Sequence, residues 1–237
     1  MMLATRDAQI RELLDEATLD DAALRRNLRD IRRINALLGW TGFAVRALGH
    51  AIRTHYADGF ALIDVAAGSA DIPLALARWA ARQGIPARIV ATDLSPQIVR
   101  IATEQAAHVP SIAVRQMDAL APPYPPGSFD IALCTLALHH FDPPLAVEIL
   151  HNLGRLGKQV FVFDVERHPL AYLGVIPLTR IIPMDAMTRH DAPASVRRAY
   201  DQRELRELAL AAGLRDAQVR VGFPFRMVLT ARGLATT

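Results

Sequence analysis

Cysteine occurs once in the 237 residues, at Cys134, and lysine once, at Lys158. A single thiol excludes an internal disulfide framework and a thiolate metal cluster. No uninterrupted apolar run is long enough to span a bilayer, and the opening MMLATRDAQIREL lacks the basic-then-apolar shape of a secretory leader. A cytoplasmic location is the default expectation. Histidines and acids show no compact ligand spacing, so no metal is expected. A large charge imbalance is also missing: the formal net charge is +3, almost all of the positive charge is arginine, and acids are interspersed. The densest basic patch is Arg25, Arg26, Arg29, Arg32 and Arg33. Leu24, Leu28, Ile31, Ile34 and Leu38 are spaced along the other face of the same helical pattern, so the patch reads as a solvated face. No nucleic-acid partner is expected.

What is present is apolar: 51% of residues are hydrophobic, enough for the core of one α/β unit. The stretch FALIDVAAGSADIP, Phe60 to Pro73, organises the rest. Leu62, Ile63 and Val65 form an apolar run that ends in small residues, turns at Gly68 and passes into a helical pattern. This is a buried strand feeding a helix through a tight turn. Such a turn presents backbone N–H groups at the carboxyl end of a parallel strand, the usual ligand position in an open α/β sheet. The G-x-G-x-x-G frame is filled here by Ala66, Gly68 and Asp71. A carboxylate at the helix start repels phosphate, so the loop does not suit a pyrophosphate. Asp71 could receive a ligand ammonium group instead, with Asp64 as a second acid of the same kind.

The chain continues in the same rhythm. Thr5 to about Tyr56 reads as two or three helices, broken near Leu19–Asp21 and Gly39–Gly42. ARIVATDLS is a second strand ending at Asp93, placed to accept hydrogen bonds from a ribose diol. Ser95 and Pro96 then cap and start a helix. IAVRQM is a third strand ending at Asp118, FDIALCTLAL a fourth, and KQVFVFDVE a fifth that ends near Asp164. A long apolar segment from His168 is punctuated by Pro169, Pro177 and Pro183, turns polar after Met187 and precedes a helix at 202–212. Two strands around Gly222–Pro224 close the chain.

The run DVAAGSA from Asp64 resembles the first motif of class I S-adenosylmethionine-dependent methyltransferases, an acid followed by three alternating glycines, with Ala66 and Ala70 in place of two of them. FD-x-x-x-C followed by LALHHF resembles the fourth-strand motif of the small-molecule branch, including the ubiquinone and menaquinone methylating group. The resemblance covers about Phe60 to Ala231. It implies an α/β fold with a Rossmann-like seven-stranded sheet, divided into an N-terminal helical cap (1–58) and a core (59–237) with a lid insertion at 168–200, in one compact unit. It implies S-adenosyl-L-methionine as cofactor, held by Asp64, Ala66, Gly68, Asp71, Asp93, Leu94, Met117, Asp118, Ala119 and Thr135. Asp93 would take the ribose and Asp118 the adenine, although Asp118 could simply cap its turn.

Methyl transfer is an in-line displacement, and alignment can supply about 7–11 kcal/mol of barrier lowering, so a base helps without being obligatory. His139, His140 and His190 are the candidate bases for a phenolic acceptor, with Asp164 to orient one of them or bind the acceptor. The expected partner is a small, largely apolar molecule enclosed by residues 168–200 and part of the N-terminal helices, which precede the first strand and could cover the ligand cleft or a sheet edge. Membrane-surface contact through the same apolar segment is its alternative use, and a homo-oligomer is open. Two rival functions stand beside this one. A nicotinamide reductase of similar topology would show a fuller glycine fingerprint, and the short-chain type a Tyr-x-x-x-Lys that no tyrosine here provides. A binding or regulatory module would keep the fold without turnover.

Overall fold

A computed structural model describes residues 3–16 and 19–234. Residues 1, 2, 17, 18 and 235–237 lie outside them, and with them the first two residues of the stretch read for a leader, part of the predicted N-terminal helices, and both ends of the proposed domain division. Seven strands form one sheet: β1 (Phe60–Val65), β2 (Ala87–Asp93), β3 (Ile112–Gln116), β4 (Phe129–Thr135), β5 (Gly157–Val165), β6 (Gln218–Gly222) and β7 (Arg226–Arg232). Their order is β3-β2-β1-β4-β5-β7-β6. The first five run parallel, and β7 is antiparallel to both β5 and β6.

Central strands are apolar on both faces because both are covered by helices. Successive side chains alternate, so Leu62, Ile131, Leu133, Phe161 and Phe163 pack on one face with Leu48 and Ile52 of α2 (Trp40–His55) and Leu76 of α3 (Asp71–Gln83). Ile63, Val65, Ala132, Cys134, Val160 and Val162 pack on the other with Ile149 and Leu150 of α5 (Pro143–Leu156) and Leu205 of α8 (Gln202–Ala211). Fully burying one such aliphatic or aromatic side chain is worth about 1.5–3 kcal/mol. α2 can lie close to α3 because Gly49 meets Trp79, where a Cβ would stand 2.7 Å from the indole.

Between these elements lie α1 (Asp21–Leu37), α4 (Pro96–Ala106), and a hairpin of α6 (Pro169–Ile181) and α7 (Ala186–Arg198) inserted after β5. The Ser95 hydroxyl accepts from the Ile98 amide to start α4. α7 is tied to α1: Asp30 accepts from the Asp185 amide at 2.7 Å, and Asn27 donates to Thr188 at 3.1 Å. The N-terminal reading needs correction. No helix runs through Thr5–Glu12; among the described residues only a short 3-10 turn, Leu13–Asp15, precedes α1. Asp7 takes the amides of Gln9 and Ile10 with its side chain, which competes with a helical turn. Arg6 reaches across the molecule to the carbonyls of His139, Phe141 and Arg198. Long-range bonding thus overrides the local helical pattern.

Candidate active site

The strand order reverses at β1, with β2 on one side and β4 on the other, which leaves a crevice at the carboxyl ends of these strands. A cleft of about 690 Å3 lies there. Asp64, at the end of β1, is 1% exposed and its Oδ1 has no hydrogen-bond partner among the described residues. Burial, with the charge of Asp93 added, raises its pKa well above the ordinary carboxylate range. The loop that follows passes through left-handed backbone at Ala66, Gly68 and Ala70, with φ of 56°, 55° and 60°. This turns Gly68 N toward β2, where Asp93 Oδ2 accepts from it at 3.1 Å while Asp93 Oδ1 accepts from Ser95 N at 3.0 Å. Burial raises Asp93 too, and these amide bonds partly offset it.

Asp71 opens α3 and lies 3.1 Å from Arg32 of α1, so the cation that pairs with it belongs to this chain. Asp118 borders the cleft, and one of its oxygens accepts from Leu120 N, the turn-capping bond. Leu94, Met117, Ala119 and Thr135 border it as well; Met117 is buried and Leu94 exposed. Thr135 Oγ1 is a second buried atom without a partner among the described residues. The fold therefore brings all ten residues proposed for the cofactor to one cleft.

The opposite wall comes from the N-terminal segment and α1, through Ile10, Leu14, Leu19, Leu28 and Ile31. Of residues 168–200, only Arg198 borders the cleft. The lid expected from that insertion is thus not found over the site. The two ends of α6 are held elsewhere, with His168 stacked on Phe225 at 4.6 Å and the turn after it bonded to α1. Segment 8–16 takes the covering position because Arg6 and Asp7 anchor it to the far side of the cleft.

The histidines separate. His140 borders the cleft, its Nδ1 2.7 Å from Asp15. His139 is buried behind it, its Nδ1 2.7 Å from Asp164 and the two rings 4.4 Å apart. Burial by itself would lower the His140 pKa, but the Glu12 and Asp15 carboxylates outweigh it and push it up to about 9. A base poised near neutrality is therefore not what this site builds. His190 is half exposed, pairs with its neighbour Asp191, and does not border the cleft. Its proposed role as base has no geometry to support it. Glu12 was not foreseen: it is 4% exposed and faces both His139 and His140, and nothing near it in the chain signals this.

With this geometry in place, relatives identify the domain. Residues 62–159 match the family described as "Methyltransferase domain". Over that stretch the chain is similar to this family. The ubiquinone biosynthesis O-methyltransferase of Pseudomonas paraeruginosa is 33% identical over 98 residues, covering 40% of this chain and 38% of that protein. The Ralstonia nicotianae protein of the same name is 35% identical over 97 residues, covering 40% and 39%. The chain thus matches about two-fifths of the length of these curated relatives. The wider fold is shared with a SAM-dependent methyltransferase from Aquifex aeolicus (TM-score 0.61, 13% identity, 92% of this chain and 100% of that one). It is shared also with human N-acetylserotonin methyltransferase (TM-score 0.64, 15% identity, 91% and 57%).

S-adenosylmethionine is the cofactor of such a domain, and the residues present fit it. Asp64 Oδ1 and Thr135 Oγ1 are buried polar atoms awaiting a partner, and a Cβ at Gly68 would meet nothing within 4 Å. Acids at the ends of β1 and β2 and after β3 suit an ammonium, a diol and an amino group, and do not suit phosphate.

Proposed function

We propose that this chain transfers a methyl group from S-adenosylmethionine to a small, largely apolar acceptor, and that the acceptor is a phenolic or polyketide-like compound methylated on oxygen. One observation carries the reading: a single cleft has the acids of the donor loop on one wall, apolar residues of the N-terminal segment on the other, and His140 between them. Asp64 and Asp93 would hold the donor's polar groups, with Asp71 paired to Arg32 beside them and Asp118 beside Met117 at the adenine end. Ile10, Leu14 and Leu19 would shield the acceptor from water and align its oxygen with the methyl carbon. His140 would meet the acceptor hydroxyl, and His139 and Asp164 behind it would hold that wall in place. Oxygen as the methylated atom is supported by the names of the matched relatives. Incubation with isotopically labelled donor and a panel of phenols, amines and thiols tests this. Label recovered in methyl ethers of phenols is expected; label confined to amines or thiols, or none in a protein that binds donor, would overturn it.

A further inference from the structure

Glu12 and the adjacent pair His139 and His140, far apart in the chain, converge beside the cleft, and methyl transfer by alignment alone does not use them. His139 and His140 each direct Nδ1 to a carboxylate at 2.7 Å, Asp164 and Asp15 respectively. An imidazole that donates Nδ1–H in this way keeps a lone pair on Nε2, the tautomer seen in metal-ligating histidines. Both Nε2 atoms face Glu12, at 3.5 Å from Oε1 for His139 and 3.8 Å from Oε2 for His140. One ligand atom from each of the three residues lies within 4.8 Å of the others. Glu12 is more than nine-tenths buried, and its Oε1 has no hydrogen-bond partner among the described residues. Its Oε2 accepts from Ser195 at 2.8 Å, which fixes the carboxylate. Ligand atoms at about 2.0–2.2 Å from an ion and at tetrahedral angles stand roughly 3.3–3.6 Å apart, so the three groups, within 4.8 Å of one another, would draw together by up to about 1 Å on an ion.

We propose that Glu12, His139 and His140 bind one divalent transition-metal ion, with Asp164 and Asp15 orienting the imidazoles and one coordination position open to the cleft on the His140 side. Two imidazoles and a carboxylate suit Zn2+, Co2+ or Mn2+ better than Ca2+ or Mg2+. Charge balance agrees. Glu12, Asp15 and Asp164 crowd one corner with Arg198, 2.9 Å from Asp15, as the guanidinium paired there. A dication takes the place of the His140 proton and offsets the remainder. Its use in catalysis rests on the methyl-transfer reading: an acceptor hydroxyl bound at the open position loses its proton to solvent, and the oxygen attacks the methyl carbon. The C–S electron pair passes to sulfur, giving methyl ether, S-adenosylhomocysteine and one proton.

The test is made on the full chain stripped with a chelator, then titrated with Co2+ and Zn2+ by calorimetry and visible absorption. One ion per chain is expected, with Co2+ developing the ligand-field bands of a low-coordinate nitrogen–oxygen site. Glu12→Gln and His140→Gln should each abolish those bands, and Asp164→Asn should weaken binding by about 10- to 100-fold. Circular dichroism checks each variant's fold, and His140→Gln, at the cleft wall, tests the same ligand set should Glu12→Gln not fold. Failure to bind either ion in a protein that still binds S-adenosylmethionine overturns the metal site and leaves the donor site standing. Metal binding that survives both glutamine variants with the same spectrum also overturns it.

Discussion

Two alanines in the donor loop hold a backbone conformation that alanine disfavours. A left-handed residue with a Cβ costs roughly 1–2 kcal/mol, and Ala66 and Ala70 both adopt it. The methyl of Ala70 is fully buried against Ala91 and Ala102, so packing offsets part of its strain; Ala66 is less buried. Ala66→Gly should therefore stabilise the protein by about 0.5–1 kcal/mol after allowing for the looser unfolded chain, while Ala70→Gly should be near neutral. Urea unfolding of the two variants reads this directly. Asp64 supplies a second prediction. Its pKa is raised by burial and by Asp93, and a donor ammonium would favour the ionised form, so binding should release protons and tighten as pH rises through the pKa of the free protein. Calorimetry in buffers of different ionisation heat measures that release; proton uptake would contradict the assignment.

At the scale of elements, strands were the most legible part of the chain. β1, β4 and β5 are largely apolar because both faces are covered. Segment 3–16 was not legible, since Arg6, Asp7 and Glu12 take their partners from residues far along the chain. Part of the N-terminal helices was expected beside the acceptor, and Leu28 and Ile31 of α1 do line the cleft; the share taken by the non-helical segment before α1 was not foreseen. Leu14→Asn should raise the acceptor KM and leave donor affinity unchanged, whereas Leu173→Lys on the exposed face of α6 should change neither, and stability by no more than about 0.5 kcal/mol. Steady-state kinetics with each variant separates the two walls. The junction of β5 with α8 depends on Arg167, 2% exposed at its side chain, which bonds Glu204 at 2.6 and 2.8 Å and Asp201 at 3.2 Å. Burial pulls the Glu204 carboxyl up, but its bonds to Arg167 and to the Asp201 amide outweigh this and lower it below 4.5. A lowered folded pKa stabilises above the unfolded value and loses that contribution as pH falls through the folded value. Glu204→Gln should cost about 2 kcal/mol at neutral pH, and the difference from the parent should shrink below pH 4.5, as followed by denaturant unfolding across pH.

Taken as a whole, the molecule is an open sheet whose strand-end cleft is also lined by residues of the segment before α1 and of α1 itself. The seven-stranded sheet was implied by the family resemblance, while the order β3-β2-β1-β4-β5-β7-β6 comes from the folded chain. The proposed cap at 1–58 shares its buried cluster with the sheet, since Trp40, Leu48 and Ile52 of α2 pack directly on β1 and β4 side chains. No described helix is long and apolar enough to cross a membrane. Asp64 and Asp93 stood out in the sequence because they fall at the ends of β1 and β2; the histidine–glutamate cluster did not, because only the folded chain brings Glu12 to His139 and His140. The central claim is that this cleft takes S-adenosylmethionine through the acids at the ends of β1 and β2. Calorimetry with S-adenosylmethionine and with NADH, on the parent and on Asp93→Ala, tests it most directly. The account predicts one S-adenosylmethionine bound per chain, no heat with NADH, and a loss of about 1.5–3 kcal/mol in the variant; binding of NADH, or an unchanged S-adenosylmethionine affinity in Asp93→Ala, would contradict it.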